Sequence, residues 1–234
     1  MMMRKFGFLV GLLLILTSAP SSAVMIHYYS FDSDATDVVG GANGSLMGGA
    51  SVVGGKLLLD GVDDYVQLGE YIIPTSGSYT VALFAQQTNP QSGHRELISQ
   101  GFSTGPGFYI GHDPVGEIRV SDLWLNSGVA FPSDGLQHHF AVSVDADLST
   151  TSLYVDGFLQ ATFGSAIATT TTGEHTQFGR QFTNHVEHFG GELDDILVFD
   201  HALSGSEIAA IPEPNTALLL GLGLSALAVR RENR

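Results

Sequence analysis

Short apolar runs separated by glycine- and aspartate-containing turns are the feature that most constrains the fold of this chain. Within residues 138–144, apolar side chains at every second position share one face, which is the pattern of a half-buried β-strand. Asp-Gly dipeptides at residues 60–61 and 156–157 follow apolar runs and predict tight turns. The chain contains 29 glycines and, between its two ends, no long apolar pattern with a helical period. The sequence therefore predicts an all-β domain built from many short strands.

The remaining elements can be placed along the chain from the same signals. We expect residues 32–49 to form a polar loop, and the threonine run 169–172 to be either an edge strand or a loop. Residues 202–208 predict a single helical turn, with Ser204 as N-cap and Glu207 as its capping-box partner. The predicted strands cover residues 27–31, 56–59, 64–68, 79–85, 96–99, 108–110, 118–120, 123–125, 138–144, 152–155, 158–163, 177–179 and 191–199.

The N-terminal segment is typical of a secretory signal peptide. Arg4 and Lys5 precede an apolar run over residues 6–16, and small residues follow up to Ala23. We therefore predict that residues 1–23 are a signal peptide cleaved after Ala23.

The C-terminal segment has three parts in a fixed order: Pro212-Glu213-Pro214, an apolar run over residues 216–229, and a basic end. As a helix the run would be about 21 Å long, which is short for a bilayer core about 30 Å thick. Cytoplasmic arginines would still hold this transmembrane helix in the inner membrane with the body outside. The order resembles the PEP-CTERM sorting signal of Gram-negative bacteria. The resemblance implies that residues 212–234 are a sorting tail, which an exosortase removes to release the body to the cell surface or extracellular matrix.

The predicted mature body, residues 24–211, is long enough for one domain and is strongly acidic. It contains four basic and 22 acidic residues, a formal charge of −18 with histidine neutral. Such a surface repels nucleic acid and anionic lipid and attracts cations, so nucleic-acid binding is excluded. The chain has no cysteine, which excludes disulfides, a thiolate nucleophile and an iron–sulfur cluster.

Several blocks of the body resemble LamG-like jelly-roll domains, which are relatives of concanavalin A. Phe31-Asp32, 37–44 and 59–66 are similar to the N-terminal half of that family. The blocks similar to its C-terminal half are residues 138–142, 153–157, 191–199 and 202–208, and Gln137 stands where the family usually has tryptophan. The resemblance implies a concanavalin A-like jelly-roll sandwich of two antiparallel sheets.

The pattern Glu192-Leu193-Asp194 raises the question of catalysis. Laminarinase- and carrageenase-type hydrolases with this sandwich carry Glu-x-Asp-x-x-Glu, but the third acidic position is Leu197 here. Retaining hydrolysis needs a nucleophile and an acid/base about 5–5.5 Å apart, and the acid/base is missing. We therefore predict no catalytic residues, with residues 191–195 serving as the family's own Gly-x-x-Asp-Asp strand.

One structural calcium ion is the metal that the resemblance implies. Many sandwiches of this type hold calcium where the first loop meets the last strand, and by position the ligands would be Asp32 and Asp194, completed by backbone carbonyls. Aspartates also form turns by binding their own backbone, so that role stays open. Zinc is not expected, because residues 185–188 lack the His-Glu-x-x-His spacing. His138 shares its face with Phe140 and is expected to be partly buried and hydrogen-bonded.

A sugar-binding groove needs aromatic faces and a few polar anchors. Trp124 is the single tryptophan and Tyr109 lies near it in sequence, while Asp122, Asn126 and Arg119 are candidate anchors. A core position for Trp124 is the alternative. These residues form the predicted ligand-binding set.

The sequence predicts an exported, non-enzymatic protein of the cell surface or exopolysaccharide matrix that binds a polysaccharide. A structural matrix protein that self-associates without a defined sugar ligand is the first alternative. A glycoside hydrolase is a more distant one.

Overall fold

The structure is a computed structural model that describes residues 23–88, 91–102, 107–121, 125–181 and 187–214, with only the backbone described at residues 125 and 126. The predicted signal peptide up to residue 22 and the apolar run 216–229 lie outside these residues. The strands, in chain order, are β1 (Met25–Tyr29), β2 (Gly44–Met47), β3 (Ser51–Val53), β4 (Lys56–Asp60), β5 (Tyr65–Leu68), β6 (Tyr79–Gln87), β7 (Arg95–Gly101), β8 (Gly107–His112), β9 (Glu117–Val120), β10 (Leu125–Ala130), β11 (His138–Asp145), β12 (Thr150–Val155), β13 (Phe158–Phe163), β14 (Glu174–Phe178) and β15 (Gly190–Phe199), and the helix α1 (Gly205–Ile208) follows.

Two antiparallel sheets face each other across one apolar core, which confirms the predicted all-β sandwich. Sheet A has the order β13-β12-β11-β6-β15-β4-β3, and β1 also pairs with β15. Sheet B has the order β10-β9-β8-β7-β14-β5-β2. Inward-facing side chains of both sheets, among them Leu83 and Val142 from sheet A and Ile98 and Phe178 from sheet B, form one buried cluster.

Three details of the predicted strand pattern were wrong. The first strand ends at Tyr29, because Phe31 has a left-handed backbone conformation (φ 50°) that cannot continue a strand. The predicted loop 32–49 contains β2, and β3 was not predicted at all. Both of these strands lie at a sheet edge and carry exposed side chains, so neither shows a clear apolar alternation. Of the strand predicted at residues 123–125, Leu125 is described and opens β10, and the other two residues lie outside the described part of the chain.

The two Asp-Gly turns have different structures. Asp156 and Gly157 both have positive φ (51° and 78°) and join β12 to β13 in the hairpin that the dipeptide predicts. Asp60-Gly61 instead leads from β4 in sheet A to β5 in sheet B, so it changes sheet rather than forming a hairpin. Residues 169–172 form no strand and are a loop.

A buried aspartate organises the loop that follows β1. Asp37 is buried and accepts hydrogen bonds from the backbone N–H groups of Tyr28, Gly40 and Ala42 and from the ring of His27. Burial opposes its ionisation, but these hydrogen bonds outweigh burial and lower the pKa of Asp37 to about 2. The loop therefore wraps around an ionised carboxylate.

The C-terminal helix covers part of the outer face of sheet A. Ile208 and Leu203 pack with Ala82 and Ala141 in a second, smaller buried cluster. The predicted capping box is confirmed, because the Ser204 side chain accepts from the Glu207 N–H while the Glu207 carboxylate accepts from the Ser204 N–H. The chain therefore reaches Pro212 along the outside of sheet A.

Candidate functional site

The outer face of sheet B is polar and aromatic, although many of its side chains are buried. On β8, Phe108 and Ile110 belong to the core, so Tyr109 between them lies on the opposite face. On β5, Val66 and Leu68 belong to the core, which places Tyr65 and Gln67 on that same outer face. We use the term outer face of sheet B for Tyr65, Gln67, Glu96, Ser99, Tyr109, Arg119, Gln177 and Arg180.

A buried ion pair crosses this face. The Arg119 guanidinium lies 3.2 Å from the Glu96 carboxylate, and the two side chains are 3% and 0% exposed. They reach each other across β8 at Gly111, where an added Cβ would collide with the Glu96 carboxylate. The same guanidinium lies 4.9 Å from the centre of the Tyr109 ring. Gly111 therefore permits a charged pair that any larger residue would block.

A second arginine lies on the other side of β7. The Arg180 guanidinium stacks 4.3 Å above the centre of the Tyr65 ring, and its backbone carbonyl accepts from the Ser99 hydroxyl at 2.7 Å. The neighbouring Gln177 donates from Nε2 to the Gln67 side chain at 2.9 Å. Within the described part of the chain, Arg180 Nε and Gln177 Oε1 are buried and have no hydrogen-bond partner. This half of the face therefore holds one buried donor and one buried acceptor that are unused among the described residues.

Two members of the predicted ligand-binding set, Tyr109 on β8 and Asn126 on β10, lie in strands of this sheet. Tyr109 is 1% exposed and lies beneath Arg119, and the backbone of Asn126 pairs with Arg119. Asp122 and Trp124 lie outside the described residues. The sequence prediction missed Tyr65, Gln67, Gln177 and Arg180, although the alternation within residues 64–68 could have placed the first two on an outward face.

The last strand carries the residues considered for catalysis and calcium. Glu192 forms an ion pair with Lys56 at 2.6 Å on the outer face of sheet A. Asp194 is 3% exposed, and burial together with the neighbouring Asp195 raises its pKa to about 7. Asp195 has a left-handed backbone conformation (φ 42°) at an irregularity in the β15–β6 pairing.

Asp32 is exposed and lies close enough to Asp195 to affect its ionisation. Burial raises the pKa of Asp195, the hydrogen bond that its carboxylate accepts from the Tyr28 hydroxyl at 2.6 Å lowers it, and the charge of Asp32 raises it again. Among the described residues, the group of three carboxylates close enough to share an ion is Asp60, Asp63 and Asp64. Asp32 and Asp194 are therefore near the same junction but do not form such a group.

The neighbouring histidines of β11 have opposite environments. The prediction for His138 is confirmed, because its partly buried ring is held between Asp156 at 2.8 Å and Asp134 at 3.0 Å. His139 is buried and stacks on Phe84 at 4.7 Å between ring centres, and its Nε2 has no hydrogen-bond partner among the described residues. Burial lowers the pKa of His139 to about 4, so its imidazole is neutral at pH 7.

Both histidines line a cavity of about 920 Å³ beneath the C-terminal segment. Residues 208–213, which include Pro212 and Glu213 of the predicted sorting motif, form its other wall. Among the described residues, no helix is long and apolar enough to cross a membrane. His185 lies outside the described residues, while His188 packs against Tyr65 and His175 against Tyr71.

Comparison with protein-family models identifies the class of this chain. Residues 60–209 match the model of the concanavalin A-like lectin/glucanases superfamily, and the chain belongs to that superfamily. Residues 210–232 match the PEP-CTERM protein-sorting motif, which indicates export and exosortase-dependent sorting to the surface of a Gram-negative bacterium. Both resemblances seen in the sequence are thereby confirmed.

Solved structures share the fold at low sequence identity. Domain 4 of AbnA, a GH43 extracellular arabinanase from Geobacillus stearothermophilus in complex with arabinotriose, is 20% identical with a TM-score of 0.64, and the match covers 82% of this chain and 99% of that one. The binding domain of Paraclostridial Mosquitocidal Protein 1 is 13% identical with a TM-score of 0.61, over 79% of this chain and 51% of that one. Trypanosoma rangeli sialidase is 15% identical with a TM-score of 0.58, over 80% of this chain but 32% of the sialidase. No curated protein matches the chain.

Proposed function

We propose that this protein is an exported, non-enzymatic carbohydrate-binding module, with residues 24–211 as its mature body, and that sugar binds on the outer face of sheet B. The observation that carries the proposal is the buried polar and aromatic composition of that face, with an unused acceptor on Gln177 and an unused donor on Arg180. Sugar-binding sites combine aromatic surfaces with a few fixed polar groups in this way. The arabinotriose complex of the arabinanase domain supports the proposal, because a domain of the same fold and size binds a sugar.

Several features support a non-enzymatic role. Leu197 replaces the acidic residue that completes the hydrolase motif, and Glu192 is engaged by Lys56. Glu192 and Asp194 also lie on sheet A, on the opposite side of the molecule from the proposed sugar site. Reducing-sugar release from β-glucans tests the hydrolase alternative, and sustained turnover would overturn the non-enzymatic assignment.

A carbohydrate-array screen followed by titration calorimetry tests the proposed function. We expect the full chain, purified in mild detergent, to bind an oligosaccharide saturably. Gln177→Leu should weaken that binding about tenfold, because it removes a buried hydrogen-bonding amide from the site. Gln160→Leu is the matched control, because Gln160 is exposed on β13 at the edge of sheet A. Equal losses in both variants, or a blank array, would contradict the proposal.

A self-associating matrix protein is the second candidate, and one observation favours it. Phe158 and Leu159 are 72% and 57% exposed on β13, which is an edge strand of sheet A. Exposed apolar edge strands promote pairing with another chain. A blank carbohydrate array together with concentration-dependent sedimentation that Leu159→Lys abolishes would favour this role.

We also propose that one structural calcium ion binds where the first loop meets β15, with Asp32 and Asp194 as ligands. The raised pKa values of Asp194 and Asp195 support it, because burial and neighbouring acidic groups make those carboxylates costly to ionise without a cation. Carboxylate oxygens are suitable ligands for this ion.

Calcium at about a hundredfold excess over its dissociation constant should raise the melting temperature by roughly 5–10 °C. Asp194→Ala should abolish that increase while the fold is kept. Asp63→Asn, in the separate group Asp60, Asp63 and Asp64, is the control and should leave the increase intact. The absence of any calcium effect on the unmodified protein, or its loss in Asp63→Asn alone, would refute the proposed site.

A further inference from the structure

Arg180 is a buried arginine without an acidic partner in the described part of the chain. Arg180 follows β14, and its side chain stacks on the Tyr65 ring. The residue is 8% exposed. Removing a guanidinium from water without an anion is unfavourable, and stacking on an aromatic ring offsets only part of that cost. Within the described part of the chain, the positive charge of Arg180 is therefore not balanced by a neighbouring negative charge.

The composition of the domain makes this absence informative. The body holds 22 acidic residues and four basic ones, so carboxylates are abundant. Two of the other basic residues do have acidic partners, since Lys56 pairs with Glu192 and Arg119 pairs with Glu96. Within the described part of the chain, Arg180 is thus the basic residue of the outer face of sheet B that has no carboxylate partner.

The neighbouring residues indicate what kind of anion fits. Tyr65 and Gln67 lie two residues apart on β5, so they share a face about 6.6 Å apart. Arg180 stacks on Tyr65, and Gln177 donates a hydrogen bond to Gln67. The face therefore carries a cationic donor, the guanidinium, and an amide acceptor, Gln177 Oε1. A planar guanidinium matches the two oxygens of a carboxylate, and the Gln177 Oε1 atom can accept from a hydroxyl. A carboxylate and a hydroxyl on adjacent carbons of a ring are features of acidic sugars.

We propose that the outer face of sheet B binds a carboxylate-bearing sugar, such as the uronic acid unit of an acidic polysaccharide. Arg180 pairs with the carboxylate and Gln177 accepts a hydrogen bond from a hydroxyl group. This inference rests on the proposed function and narrows its ligand class. It also accounts for a buried cation in a domain whose charge otherwise repels acidic polymers.

Titration calorimetry on the full chain tests the inference with trimers of galacturonate and of mannuronate, their methyl esters and arabinotriose. Esterification removes the charge without changing the sugar ring. We expect at least one uronate trimer to bind more tightly than its ester, and Arg180→Gln to weaken that binding roughly 10- to 100-fold. Lys56→Gln removes the same charge on the opposite sheet and should leave the affinity unchanged.

Two further outcomes separate this inference from the function on which it rests. Equal affinity for trimers and esters, or a preference that Arg180→Gln leaves intact, overturns the inference while the proposed function stands. If the protein binds none of these sugars and no member of the carbohydrate array, both the inference and the proposed function are overturned. If Arg180→Gln does not fold, the arginine Nε–H resonances of the unmodified protein decide. A uronate trimer should shift one of them downfield, and unchanged resonances at saturation overturn the inference.

Discussion

Replacing Arg119 by methionine is expected to lower the free energy of unfolding by about 3–5 kcal/mol. The substitution deprives the Glu96 carboxylate, which is 0% exposed, of the arginine that lies 3.2 Å away. Removing one member of a buried ion pair is strongly unfavourable, whereas the methionine side chain fills most of the volume of the lost arginine. Urea denaturation at pH 7 measures the change.

The double variant Arg119→Met with Glu96→Leu is the matched control. Removing both charges together should restore most of the lost stability, since exchanging a whole buried ion pair for apolar residues is often neutral. We therefore expect the effects of the two substitutions on stability to be non-additive. Two results would show that the pair does not determine stability here. One is a double variant whose loss of unfolding free energy equals the sum of the losses in the two single variants, and the other is an Arg119→Met protein as stable as the parent.

Acidification is expected to destabilise the protein through His139, and His139→Phe should remove that part of the pH dependence. Burial lowers the pKa of His139 to about 4, whereas an unfolded histidine has a pKa of about 6.5. Between these values the unfolded chain binds a proton that the folded chain does not. Stability therefore falls as the pH drops through this window, by about 3 kcal/mol in total and by about 2 kcal/mol between pH 7 and pH 5.

The measurement is the difference in unfolding free energy between the parent and His139→Phe at several pH values. The pKa of Asp194 is raised to about 7, so its protonation has the opposite effect and stabilises the folded protein as the pH falls. Asp194 is present in both proteins, so its contribution cancels when their unfolding free energies are subtracted. His138→Gln is the control of opposite sign. Burial lowers the pKa of His138, but the ion pairs with Asp156 and Asp134 outweigh burial and raise it overall. The stabilisation that His138 provides is therefore present in acid and lost at higher pH. A parallel pH dependence in the parent and His139→Phe would refute the assignment.

The parts of the fold that could be predicted are those in which one residue pattern determines one structure. The central strands β6, β11 and β15 have runs of apolar residues long enough to identify, and Ser204 with Glu207 specifies a helix start. The edge strands β2 and β3 could not be predicted, because their pairing with β5 and β4 stabilises strands that have little apolar character of their own.

The candidate site was harder to predict, because it depends on pairs that are distant in sequence. The alternation within β5 indicates that Tyr65 faces away from the core, but nothing near it in sequence indicates that Arg180 will stack on its ring. That contact arises only when β5 pairs with β14. Arg119 was a candidate anchor from its position, yet its pairing with Glu96 depends on Gly111 in the intervening strand.

Amide chemical-shift mapping with the oligosaccharide that binds most tightly tests whether sugar binds on the outer face of sheet B. We expect the largest changes at saturation to fall on β5, β8, β9 and β14 of sheet B, with Gln177 and Arg180 among the affected residues. Changes confined to sheet A, or to the cavity that His139 lines beneath the C-terminal segment, would contradict it.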